Sequence, residues 1–225
     1  MLLEDCCSPI DSTKPVNLSQ ELLVIDDYLP ANVCSNLIAF ANWSPTAPAP
    51  IGGRDVDRPV ANVRSDGFVA DRLEVCADPY VCREVLKISN DIFINYVNPN
   101  YHVKTEWYEM PHVLRYRIGG IYTKHSDSEN FDKKNKRWVK VIDRDYSIIV
   151  YLNSDFDGGA IAFPSLNLRV QPRTGMLVTF PSDHRFLHTA ESTLSGTRYA
   201  LVTWGAIHGI ERIADKPPYY IVQLD

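Results

Sequence analysis

The chain has 225 residues, of which 45% are hydrophobic and 23% charged, and its formal net charge is −5. This is the balance of a globular protein with ample apolar material for one core, and the length fits one decorated domain better than two. A negative chain is a poor general nucleic-acid binder, because such affinity comes from Lys and Arg neutralising phosphates.

Acidic Glu4 and Asp5 stand where a secretory signal carries basic residues, and no apolar run approaches membrane-spanning length. The expectation is a cytoplasmic protein without membrane or nucleic-acid partners. Cys6, Cys7, Cys34, Cys76 and Cys82 form no C-x-x-C pair, so the expectation is structural or incidental thiols, with neither a disulfide framework nor a thiolate zinc site.

Residues 1–20 are polar and contain Pro9 and Pro15, which predicts a loose arm ahead of a single domain over 21–225. Glu21 to Asp26 reads as a short buried strand. Pro30 then opens a helix whose apolar stripe is Val33, Leu37, Ile38, Phe40 and Ala41, ending before Ser44-Pro45. Prolines 45, 48 and 50 with glycines 52 and 53 predict a loop over 45–58. Val81, Val85, Ile88, Ile92 and Tyr96 recur at helical spacing, predicting a second helix over about 79–97 that Pro99 ends.

From Pro111 the pattern changes to short β-type runs at 112–118, 121–125, 146–152, 159–163, 167–171, 175–180 and 197–204, divided by turns such as Asp157-Gly158-Gly159 and Pro172 to Gly175. Seven such runs predict a sandwich or jelly roll. Helical support over 30–97 and a β core over about 107–206 follow.

Tyr122-Thr-Lys-His125-Ser-Asp127 places a His and an Asp two apart at the end of a predicted strand. Residues i and i+2 of a strand share a face, so imidazole and carboxylate can meet one ion. A third ligand has to come from His102, His112, His184, His188 or His208. His188 has the best context, since it follows the apolar run Gly175 to Pro181 after a short polar turn and opens toward another strand at Arg198. Two imidazoles and one carboxylate leave open positions as in non-haem iron(II) oxygenases, with zinc as the competing metal.

The ordered set of motifs resembles the prolyl 4-hydroxylase branch of the iron(II)/2-oxoglutarate dioxygenases. His188 stands 63 positions after His125, and Arg198 ten after His188. Leu114-Arg-Tyr116 through Gly120-Ile-Tyr122 to Asp127 is similar to that branch's Tyr-x-x-Gly-x-Tyr-x-x-His-x-Asp strand pair. Ser147 to Asn153, Phe156 to Pro164, Phe180-Pro-Ser182 and Arg198 to Trp204 resemble the strands that follow.

The resemblance spans about residues 21–206 and implies a double-stranded β-helix, a mainly β, cupin-like jelly roll with flanking helices. It implies Fe(2+) held by His125, Asp127 and His188, with 2-oxoglutarate and O2 as cosubstrates and ascorbate as a candidate reductant. Arg198 would bind the distal carboxylate of 2-oxoglutarate, helped by Tyr151, while Tyr116 and Tyr122 would line the pocket. Asp127 makes hydroxylation the expected outcome, because related halogenases carry a small residue there.

The implied activity is 4-hydroxylation of a proline in a peptide or protein, gripped by loops 45–70 and 128–144, the latter with the basic run Lys133 to Trp138. The rivals are a hydroxylase of a free amino acid or other small molecule, and a non-catalytic metal-binding jelly-roll module. His102, His112, His184 and His208 are expected to be polar or packed histidines outside the ligand set.

Overall fold

The computed structural model describes residues 21–45, 47–49, 54–55, 58–59, 68–217 and 220–224, and strands dominate it. In chain order they are β1 (Leu23–Ile25), β2 (Ala47–Pro48), β3 (Arg54–Asp55), β4 (Arg58–Pro59), β5 (Phe68–Val69), β6 (Asp71–Glu74), β7 (Thr105–Glu109), β8 (His112–Tyr116), β9 (Ile121–His125) and β10 (Glu129–Asp132). There follow β11 (Arg137–Lys140), β12 (Tyr146–Tyr151), β13 (Asp157–Gly158), β14 (Ile161–Phe163), β15 (Leu168–Val170), β16 (Leu177–Pro181), β17 (His188–Ala190), β18 (Thr193–Ser195), β19 (Arg198–Ile207) and β20 (Ile221–Gln223). The helices are α1 (Ala31–Trp43), α2 (Pro79–Ile92), which runs on through a π-helical turn at Phe93–Val97, and α3 (Asn98–Tyr101). The arm expected at 1–20 and much of the loop expected at 45–70 lie outside the described residues.

The larger sheet runs β1-β16-β12-β19-β8-β6-β2, with β7 pairing the far end of β19 and β20 pairing β7; the smaller runs β15-β14-β17-β9-β5. Side chains alternate across the larger sheet with the two-residue period of a strand. Val113, Ile148, Val150, Tyr199 and Leu201 face α1 and α2 and form one core with Leu37, Val85, Ile88 and Phe93. Leu114, Tyr116, Tyr151, Val178, Phe180, Ala200 and Val202 face the other way and pack on Ile161, Phe163, Val170 and Ala190 of the smaller sheet. Two sheets enclosing one core and helices covering one outer face make the mainly β jelly roll expected from the sequence.

Asp78 caps α2, its Oδ1 accepting from the backbone N–H of Tyr80 at 2.8 Å and of Val81 at 3.0 Å. Pro99 does not end this helix. The chain stays helical to Tyr101 and stops at His102, whose φ of 54° is left-handed. The wider π turn just before Pro99 makes room for a ring that would crowd an ordinary helical carbonyl. Phe93, on that turn, lies directly over Gly205 of β19, where a Cβ would overlap its ring.

Three further expectations need correction. The 128–144 segment is a hairpin, β10 pairing with β11 from Glu129 opposite Lys140 to Asp132 opposite Arg137. Asp132 shapes its turn: Oδ1 accepts from the backbone N–H of Lys134 and Asn135 at 2.9 and 3.1 Å, and Oδ2 from the Asn135 amide at 2.6 Å. Within 45–58, β2 is a two-residue strand on the sheet edge beside β6, a place that tolerates Pro48. Cys34 is a buried free thiol, but Cys82 is disulfide-bonded, a pairing that spacing alone does not reveal. No described helix is long and apolar enough to cross a membrane.

Candidate metal centre

β9 delivers His125 and the turn after it Asp127, while β17, hydrogen-bonded to β9, sets His188 opposite His125 in register. Nε2 of His125 lies 3.6 Å from Asp127 Oδ1, and Nε2 of His188 lies 3.7 Å from Asp127 Oδ2. One ligand atom from each residue falls within 4.8 Å of the others, a set able to hold a metal ion.

Both imidazoles are turned for that task. Nδ1 of His125 lies 2.7 Å from the carbonyl of Thr123, and Nδ1 of His188 lies 3.0 Å from the carbonyl of Phe186. A carbonyl only accepts, so each Nδ1 carries the proton and each Nε2 offers its lone pair. Packing holds the rings: Tyr122 stacks on His125 at 3.4 Å, and Phe180 meets His188 edge-on at 4.9 Å.

Burial beside His125 pushes the His188 imidazole down to about 4, which keeps it neutral at ordinary pH. Burial alone would raise Asp127, but His188, His125 and Arg144 outweigh it and hold its carboxyl well below the usual range. Ser147 donates to Asp127 Oδ2 at 2.6 Å.

The triad opens into a cavity of about 90 Å³ lined along one strand face by His112, Leu114 and Tyr116 of β8 and along another by Arg198, Ala200, Val202 and Trp204 of β19. Arg198 and Tyr116 are paired in register at one end, and Val202 and His112 toward the other.

Arg198 is 3% exposed, donates from one terminal nitrogen to the Gly159 carbonyl at 2.7 Å, and lies 3.8 Å over the Tyr116 ring. No described carboxylate neutralises it, and its Nε is buried with no hydrogen-bond partner. A buried cation with donor capacity to spare fits an anionic ligand. Tyr151 lines the same end. Burial raises both tyrosine hydroxyls, with Arg198 pulling back, so they stay protonated donors.

The structure therefore brings together all six residues expected at the site, with Tyr122 beside them. His184 stays out of the triad: its Nδ1 meets Glu129 Oε2 at 2.6 Å and its ring stacks on Trp138 at 5.0 Å. His102 ends a helix, and His208 is exposed.

Sequence reasoning missed Ser147 and Arg144. Ser147 shares a strand face with Tyr151, four residues on, so period two could have pointed to it. Arg144 forms a two-pronged pair with Glu109 at 2.6 and 2.8 Å and covers the Trp204 ring at 3.6 Å. Glu109 lies 35 residues away, and no local signal links the two. His112, expected as a packed histidine, is buried and also lines the cavity.

Comparison with known proteins agrees with this geometry. Residues 111–206 match the family model for the 2OG-Fe(II) oxygenase superfamily. Prolyl 3-hydroxylase 1 of Gallus gallus is 41% identical over 66 residues, a match covering 27% of this chain and only 9% of that protein.

Among solved structures, a prolyl-4-hydroxylase from Pseudomonas putida has a TM-score of 0.61 at 20% identity, over 86% of this chain and 96% of that one. The viral collagen prolyl hydroxylase of Paramecium Bursaria Chlorella virus-1, solved with 2OG, has a TM-score of 0.58 at 19% identity, over 83% and 96%. At such identities these two show likeness of fold alone. The matched segment spans the triad, Arg198 and both cavity-lining strands, so the residues that build the site lie in the part of this chain that is similar to the 2OG-Fe(II) oxygenase superfamily.

Proposed function

We propose that the chain is an iron(II)- and 2-oxoglutarate-dependent hydroxylase of a proline in a peptide or protein, with His125, Asp127 and His188 as metal ligands. The observation that carries this reading is the unneutralised, buried Arg198 guanidinium in the same cavity as a His/Asp/His set that presents Nε2 lone pairs. Iron with bound 2-oxoglutarate supplies the oxidative decarboxylation to succinate and carbon dioxide and the transfer of oxygen into a C–H bond.

The chain's own residues do the rest. Arg198, held by the Gly159 carbonyl and the Tyr116 face, grips the distal carboxylate with help from Tyr151. Leu114, Ile149, Ile161 and Val202 line the walls between the ends and keep water from the reacting carbon. Trp204, with Arg144 above it, lines the opposite end, where the substrate enters.

Identity to a prolyl 3-hydroxylase supports C3 of proline as the carbon attacked, and this is the first reading. The order of the motifs around His125, Asp127, His188 and Arg198 supports C4 as the second. The test is succinate formation with iron(II), 2-oxoglutarate, ascorbate and oxygen in the presence of proline-containing peptides, followed by hydrolysis and separation of 3- from 4-hydroxyproline. Succinate that rises with free amino acids and not with peptides would overturn the peptide reading. No succinate with any substrate would favour a non-catalytic metal-binding module.

A further inference from the structure

The β10–β11 hairpin stands on the rim of the cavity: Ser126 and Asp127, just before it, and Arg144, just after it, all line the pocket. Its base is fixed on both sides. Val141 N–H donates to the Ser128 carbonyl at 2.8 Å, and Ser128 N–H to the Ser182 carbonyl at 3.0 Å. Glu129 Oε2 accepts from the backbone N–H of His184 at 2.7 Å and contacts its ring nitrogen at 2.6 Å, while Trp138 stacks on the same ring with planes 5° apart. The hairpin is thus clamped to the turn that leads into His188.

Its tip carries Lys133, Lys134, Lys136 and Arg137, all exposed, within five residues of a chain whose net charge is −5. None of the four forms an ion pair with a described acid, and the three hydrogen bonds to Asp132 hold the turn that displays them. Asp132, opposite Arg137 in register, offsets only part of this charge, and the repulsion left among four clustered cations is relieved by an anionic segment. The four residues of β10 rise about 13 Å, so a peptide that ran from the metal centre alongside this strand would reach the tip about four residues from its reacting residue.

We propose that this tip is a docking surface for an acidic stretch of the polypeptide substrate, centred about four residues from the target proline. The inference rests on the peptide reading above and narrows its substrate class. Four exposed pairs, each a factor of about two, give a preference on the order of tenfold at low salt.

The test measures fluorescence anisotropy of two labelled peptides on the intact, metal-loaded chain. Each has one proline; four glutamates flank it at that distance in one, and four glutamines in the other. The glutamate peptide is expected to bind about tenfold tighter at low ionic strength and to lose that margin at high salt. The variant Lys133→Glu, Lys134→Glu, Lys136→Glu, Arg137→Glu should lose or invert the margin, and the corresponding Gln variant should abolish it, with binding of the glutamine peptide unchanged. Equal affinity for the two peptides, or a margin that survives charge reversal, would overturn the proposal. Mass spectrometry of the same mixtures separates the two ideas: preferential binding without hydroxylation of either peptide counts against the activity and leaves the surface standing.

Discussion

The hydroxyl of Ser147 donates to Oδ2 of Asp127 at 2.6 Å and is itself 2.7 Å from the hydroxyl of Ser182. With the Ser147 proton committed to the carboxylate, Ser182 must be the donor in the second bond. The Ser182 carbonyl accepts in turn from the hydroxyls of Ser126 and Ser128 at 2.8 and 2.9 Å. Four serines therefore tie the turn bearing Asp127 to the end of β16, and Asp127 has its carboxylate plane set before any ion arrives.

Removing that hydrogen bond should weaken metal binding. Ser147→Ala is expected to lower affinity for Mn(II) or Co(II) about 10- to 100-fold, the usual cost of losing a partner that orients a ligand. Ser147→Thr, which keeps the hydroxyl, should recover most of it. Metal titrations of the three proteins decide this, and an alanine variant with unchanged affinity would show that Asp127 needs no such support.

Arg198→Met should uncouple 2-oxoglutarate from stability. At a hundredfold excess over its dissociation constant, a ligand adds about 2.7 kcal/mol, or several degrees in Tm for a chain of this size. With Mn(II) present, the wild type should show that rise and the variant should not. Because the replaced cation is buried without a counter-charge, the ligand-free variant should melt no lower than the wild type. A large drop in its Tm would mean that Arg198 is chiefly structural.

Gly205→Ala tests the seat of the helix on the sheet. The added methyl would overlap the Phe93 ring, itself stacked on Tyr108 at 5.0 Å. Overpacking of this kind costs about 1–3 kcal/mol, visible as a lower urea midpoint. An unchanged midpoint would show that the π turn shifts freely.

Acid should destabilise the metal-free protein before its carboxylates titrate. The folded-state value of His188 is about 4 against an ordinary 6.5, and burial pushes His112 down as well. Below 6.5 the unfolded chain takes up protons that the folded one refuses. Stability therefore falls as pH drops from 6.5 toward 4, by a few kcal/mol at most. The depressed Asp127 adds its own loss only below its ordinary value of 3.8. Thermal melts across this range check the slope, which should shrink in His112→Asn.

Much of this was legible because strands write their geometry into sequence with a short period. His125 and Asp127 are two apart, the Asp157 to Gly159 turn shows Gly158 and Gly159 at positive φ, and in β19 Arg198, Ala200, Val202 and Trp204 line the pocket while Tyr199 and Leu201 join the helix core. What stayed hidden depends on partners distant in the chain. The Arg144–Glu109 pair and the His184–Glu129–Trp138 clamp each join segments that only folding brings together. Pro99 misled for the opposite reason: a local rule was overridden by a π turn whose packing against the sheet no local pattern records.

The pairing of β19 with β8 carries a consequence for how this chain can change. Arg198 and Trp204, on one face of one strand, stand at opposite ends of the pocket, about 20 Å apart along an extended backbone. The strand acts as a ruler whose graduations are residues. Exchanging the spacers Ala200 or Val202 alters the filling between two fixed marks, but inserting or deleting a single residue turns one mark out of the cavity altogether. Variation here is open in kind and closed in number.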